Sequence, residues 1–177
     1  IWDTNKAAPH PFDGPVFGAI DLSEVADLTC AMYGNQIDGV TSIRPTFWLP
    51  SEGLAEKSRN DRVPYDTWHA AGHLETCPGM TVRYEYVADR VFSDCQRWDV
   101  RKIAFDRWNW RHFKPYLEKA GFEDWQLEGD RAIFVPFGQG YQSMSPALRD
   151  AESAVLNGLL RHGDHPVLNM CMANAVV

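Results

Sequence analysis

Two short apolar runs, VFGAID at residues 16–21 and VRKIAFD at residues 100–106, each end on an aspartate. Runs of this length, rich in β-branched and aromatic residues, read as strands rather than helices. A carboxylate closing a buried strand must reach water, a partner or a cation. In open α/β sheets, ligands gather outside the carboxyl ends of the strands, near the point where strand order reverses. If the two runs are parallel neighbours, Asp21 and Asp106 emerge at one rim, separated by roughly the 4.8 Å spacing of adjacent strands. Carboxylates that close repel one another unless one is protonated or a cation lies between them. Oxygen-only donors favour Mg2+ or Mn2+, and two such ions about 3.5–4 Å apart can activate a water and stabilise the leaving oxygen of a phosphodiester. Aspartate at a strand end is also an ordinary turn or cap residue, so the pattern alone leaves both readings open. Asp27 and Glu24, in the corner after Asp21, could reach the same ion, although a solvated hairpin tip accounts for Glu24 more simply.

The rest of the chain gives these strands a setting. Pro9, Pro11 and Gly14 mark residues 1–14 as a linker or arm. Residues 28–33 continue as a second strand closed by Gly34-Asn35, and residues 40–49 form a third that Pro50 ends, so three antiparallel strands open the domain. Ser51 can cap a helix, Pro64 starts a short one, and Tyr84, Val87, Val91 and Phe92 recur at helical spacing up to about Trp98. After the strand at 100–106, residues 110–120 form a helix closed by Gly121. Residues 132–137 predict another buried strand, and residues 146–160 an amphipathic helix with Leu148, Val155 and Leu159 inward. The order fits an α/β fold with a mixed sheet, its first three strands antiparallel and its later ones parallel, covered by helices on both faces.

Composition bounds what such a domain can do. The 177 residues make one ordinary domain. With 24 acidic residues against 17 Lys plus Arg, the net charge is −7, so no global positive field draws a polyanion; a local basic patch or bound cations must do so. Arg107 and Arg111, beside Asp106 and interleaved with Trp108 and Trp110, are the candidate phosphate contacts. Lys114 reads instead as part of a solvated helix face. Cysteines at 30, 77, 95 and 171 show no metal spacing, and reduced thiols point to a cytoplasmic setting. No apolar run approaches 18 residues, which argues against a membrane partner.

Other patterns carry less. His69 and His73 are four residues apart but lack the glutamate of H-E-x-x-H. His162 and His165 follow a helix, where capping explains them, and His162 is kept as a minor site candidate. Gly138-Gln139-Gly140 could approach a phosphate backbone without forming a nucleotide fingerprint. Trp48, Trp68 and Trp98 read as core. No serine sits in a G-x-S-x-G setting.

Six blocks resemble the large terminase subunit of tailed bacteriophages of the HK97-like type. They are GAIDLSEVADLT (18–29), WLP (48–50), RVPYDTW (62–68), KIAFDRWN (102–109), GQGYQSMSPAL (138–148) and HPVLNMCMAN (165–174). They follow the family's order across nearly the whole chain from residue 15. The resemblance implies an RNase H-like nuclease domain over residues 15–177, cutting double-stranded concatemeric DNA with Mg2+ or Mn2+ during genome packaging in the host cytoplasm. It implies Asp21 and Asp106 as catalytic, metal-binding acids and Asp27 as a further acidic position. The implied partners are double-stranded DNA, an ATPase domain in the same longer chain, the small terminase subunit and the portal protein. No G-x-x-x-x-G-K-[ST] stretch occurs here. The family's third acid follows the segment matching HPVLNMCMAN by a few tens of residues, beyond Val177, so a domain truncated at its C-terminal end and weakened in cleavage is expected. The alternative is a module that clamps DNA or docks on the portal without cutting.

Overall fold

Strand order 4-3-2-1-5-6 defines the sheet at the centre of the computed structural model, which describes residues 1–23, 25 and 27–175. Its strands are β1 (Val16–Asp21), β2 (Thr29–Ile37), β3 (Val40–Pro50), β4 (Glu75–Cys77), β5 (Val100–Phe105) and β6 (Phe134–Pro136); β7 (Leu160–Arg161) pairs with the start of β3. β1, β2 and β3 form an antiparallel meander. β5 then returns to the free side of β1 and pairs with it in parallel, β6 adds in parallel beyond β5, and β4 lies parallel to β3 on the far edge. Strand order therefore reverses between β1 and β5, the kind of switch point at which α/β sheets open a crevice.

Alternation along the strands divides the core in two. Trp48 of β3 points to one face with Ala31, Tyr33, Val16, Ile20, Ile103 and Phe105, beneath helices α3 (Tyr84–Arg97) and α4 (Trp110–Ala120). Phe47 and Leu49 point to the other, where α1 (Leu54–Asp61), α2 (Tyr65–Ala70) and α7 (Pro166–Asn174) supply Leu54, Tyr65, Val167 and Leu168. Helices thus stand on both faces. On the second face they cover the β2–β3 side, and β1 is left open there, with Phe17 57% exposed and Ala19 exposed in part.

Several boundaries differ from the sequence reading. β2 does not stop at Gly34-Asn35 but continues to Ile37. Asn35 is buried, its Nδ2 donating to the carbonyls of Asp13 and Pro15, and the reversal falls on Asp38-Gly39, both at positive φ as a two-residue type I′ turn requires. α1 begins at Leu54 behind Gly53 in the left-handed region, not at Ser51. β4, β7, α5 (Asp124–Leu127) and α7 are additional elements, the strands too short to show a period. The late helix, α6, spans Tyr141–Leu156 and buries none of its residues; Leu148 and Leu159, expected inward, are 59% and 40% exposed. Its apolar stripe is present, but no sheet face lies against it.

The first fourteen residues are seated on the domain. Trp2 stacks on the buried His162 ring at 4.0 Å, and its Nε1 donates to Asn169 Oδ1. Asn5, also buried, donates to the Val155 carbonyl and accepts from the Leu160 amide. Phe12 packs edge-on against Trp98, and Arg44 donates to the Pro9 and His10 carbonyls. Trp2→Ala removes the stacked ring and one hydrogen bond and is expected to lower stability by about 2 kcal/mol. The measurement is the urea midpoint at unchanged m value; an unmoved midpoint would show that the arm adds nothing to the fold.

Candidate active site

The parallel register of β1 and β5 brings Ile20 beside Phe105, so the next residues, Asp21 and Asp106, stand side by side where both strands end. Ile20 and Phe105 turn into the core, which sends both aspartates to the open face. Behind them on that face come Ala19 and Ala104, small side chains that let a bulky ligand approach the carboxylates closely.

The electrostatics show the apposition. Asp21 lies at the surface, yet neighbouring protein desolvates its carboxyl and raises its pKa above the usual 3.8, and the Asp106 charge raises it further. On its other flank, Asp21 is paired in register with Cys30. Burial, helped by the nearby Cys171 and Asp21, pushes the Cys30 thiol up to about 12. It stays protonated at neutral pH and is a poor ligand, which leaves oxygen donors alone at this rim. An all-oxygen pair whose charges disfavour each other suits a hard divalent cation.

Two loops hold the pair in place. After β5, the Trp108 amide donates to Asp106 Oδ1 at 3.1 Å in an Asx turn that fixes the carboxylate. Asn109 then donates from Nδ2 to the Leu22 carbonyl at 3.1 Å, tying the loop after one aspartate to the loop after the other. The Ser23 amide donates to Thr29 Oγ1, and Tyr84 Oη donates to the Ser23 carbonyl. Below the loops, Trp110 stacks on Phe105 at 4.2 Å and Phe113 is buried. Asn109 and Tyr84 are the positioning residues that sequence reasoning missed. Asn109 follows Asp106 within KIAFDRWN, but its partner, a backbone carbonyl 87 residues away, leaves no trace in spacing.

The remaining candidates separate by position. Asp27 is exposed, its charge felt at the Tyr65 hydroxyl, which burial and Asp61 push up to about 12. Among the described residues, no three His, Cys, Asp or Glu side chains gather closely enough to share an ion. Glu24 lies outside the described residues. Arg107 and Arg111 are exposed and in no ion pair among those described; Arg107 lies over the Trp108 ring at 5.8 Å, and Arg111 Nε donates to His112 Nε2. Lys114 is held by Glu118 and Glu128, in keeping with a helix-face role. His162 is not near the acids: it lies beside β7, which pairs with the first residues of β3, at the opposite end of the sheet. His69 is engaged by the Leu74 carbonyl, and His165 caps α7 by accepting from the Leu168 amide. Trp48 is core, Trp98 packs on Phe12 and Tyr33, and Trp68 on Tyr65. All four cysteines are free. No described helix is long and apolar enough to cross a membrane.

Comparison with known proteins gives the family and the fold. The family described as "Terminase large subunit, endonuclease domain" matches residues 2–177. The terminase large subunit of Enterobacteria phage HK97 is 37% identical over 178 residues, covering all of this chain and 34% of that protein. Protein YmfN of Escherichia coli K12 is 26% identical over 175 residues, covering 93% of this chain and 36% of YmfN. The chain spans about a third of the length of these relatives. The crystal structure of the HK97 large terminase superposes with a TM-score of 0.89 at 36% identity, over 98% of this chain and 35% of that one. A large terminase from a thermophilic bacteriophage, solved in complex with ATP-gamma-S, shares the fold at 9% identity and a TM-score of 0.51, over 89% of this chain and 30% of that one.

The raised Asp21 pKa has a thermodynamic consequence. A carboxyl that holds its proton more tightly in the folded chain stabilises the fold below the unfolded value near 3.8, and this contribution is lost as pH rises through the folded value. At neutral pH the crowded pair therefore weakens the fold. Asp21→Asn is expected to melt above the wild type at neutral pH, with the difference fading in acid as Asp21 itself becomes protonated; a variant that melts lower at neutral pH would contradict the apposition.

Proposed function

As the chain belongs to the terminase large-subunit endonuclease-domain family, we propose that it is the nuclease part of a phage DNA-packaging protein, cutting double-stranded concatemeric DNA with Mg2+ or Mn2+. The observation that carries this reading is the apposition of Asp21 and Asp106 at the switch point of the sheet. A bound divalent ion supplies water activation and charge stabilisation at the scissile phosphate. Mg2+ is commonly held by one or two carboxylates together with substrate phosphate oxygens, so Asp21, Asp106 and the DNA backbone could hold one such ion. Asp27, exposed between β1 and β2, is the further acidic position of the opening motif.

The chain's own residues do the positioning. Asp106 is oriented by the Trp108 amide, and Asn109 fixes the distance between the two acid-bearing loops. Ala19 and Ala104 leave room for a sugar-phosphate backbone beside the acids. Arg107 and Arg111, carrying no acidic partner among the described residues, offset the repulsion between an acidic rim and a polyanion by binding flanking phosphates. Contacts of that kind read no sequence, which suits a cutter indifferent to the bases it meets. The family context supports an ATPase domain in the same longer chain, with the small terminase subunit and the portal protein as partners in the host cytoplasm.

The test is metal-dependent cleavage of linear duplex DNA by the chain and its variants. Asp21→Asn and Asp106→Asn are each expected to reduce cleavage about a hundredfold or more, while DNA binding persists because the arginines remain. Cleavage unaffected by Asp106→Asn would remove the nuclease reading and leave a module that only holds DNA.

A further inference from the structure

Trp108 lies two residues beyond Asp106 and is 73% exposed. Its neighbours are all committed: Asp106 accepts from the Trp108 amide, Asn109 is tied to Leu22, and Trp110 is stacked on Phe105 and tilted against Phe134. The backbone beneath Trp108 is therefore fixed at both ends while the indole itself is held out in solvent. An exposed tryptophan leaves a large apolar area against water, whereas the next indole in the chain, Trp110, packs against the core. The Arg107 guanidinium lies over the ring at 5.8 Å, so the exposed aromatic face is coupled to a positive charge.

We infer that Trp108 is a DNA-base contact: its indole stacks on an unstacked base of the strand whose phosphate lies at Asp21 and Asp106, while Arg107 holds the adjoining phosphate. The inference rests on the nuclease reading above and extends it from backbone binding to the bases. A positive charge beside a free aromatic face, next to a phosphate-directed centre, is the pairing that single-stranded nucleic acid fits, and stacking tolerates any sequence because every base has a π-face. The contact grips one nucleotide without selecting it.

Trp125 provides an internal control. It too is partly exposed, at 47%, with Arg131 over its ring at 5.8 Å. It belongs to α5, whose Gln126 carbonyl accepts from Ile133 just before β6 begins, at the end of the sheet away from the aspartates.

The experiment measures binding of the full chain, without divalent metal, to two probes. One is a single-stranded oligonucleotide; the other is an abasic phosphodiester strand of the same length, which carries the same charge but no bases. The wild type is expected to bind the base-bearing strand about tenfold more tightly, within the range of one base–aromatic stack. Trp108→Ala should abolish that preference while retaining affinity for the abasic strand, Trp108→Phe should retain part of it, and Trp125→Ala should leave it unchanged. The quenching of tryptophan emission on binding should disappear in Trp108→Phe and persist in Trp125→Phe. Equal affinity of the wild type for both probes, or a preference that survives Trp108→Ala, overturns the inference while leaving metal-dependent cleavage to stand. Failure of the wild type to bind either strand likewise overturns the inference, while the nuclease reading is decided separately by metal-dependent cleavage of duplex DNA.

Discussion

The parallel pairing of β1 with β5 is the contact on which the rest depends. These strands are some eighty residues apart in the chain, and the intervening segment must build β2, β3, β4 and three helices before β5 returns to the free side of β1. Their register sets Ile20 against Phe105 and so places Asp21 beside Asp106. A shift of one residue would turn one aspartate toward the core beneath α3 and α4. The two apolar residues that precede the acids thereby determine the geometry of the acids.

That geometry works against the fold. Two carboxylates at one rim, one of them partly desolvated, are a local destabilisation at neutral pH. The surrounding structure restrains it: the Asx turn at Asp106, the Asn109 link to Leu22 and the Tyr84 bond to Ser23 hold loops that charge repulsion would otherwise part. Beneath them, Trp110 and Phe113 give the loop after β5 a rigid base. An unfavourable charge pairing at an open rim is what a bound cation would relieve, in keeping with the metal-dependent function proposed above.

The acids were legible in the sequence because each closes an apolar run, and a short run ending on aspartate gives the strand, its direction and its functional end together. The three opening strands and the helices at 84–97 and 110–120 were legible for the same reason, since their periods are long enough to read. Asn109 and Tyr84 were not, because their worth lies in bonds to carbonyls far along the chain. The setting of residues 1–14 was hidden as well: Trp2 has no local partner, and the His162 ring it covers is 160 residues away. The outward face of α6 shows the opposite limit, for an apolar stripe announces that a helix can be covered but not that this domain covers it.

If Asp21 and Asp106 form one cation site, crystals of the chain soaked in Mn2+ must show where that cation goes. Anomalous scattering recorded at the manganese edge is expected to give a peak bridging the two carboxylates, and the peak should vanish in Asp106→Asn. Manganese bound elsewhere, with the aspartates turned apart, would contradict the account at its foundation.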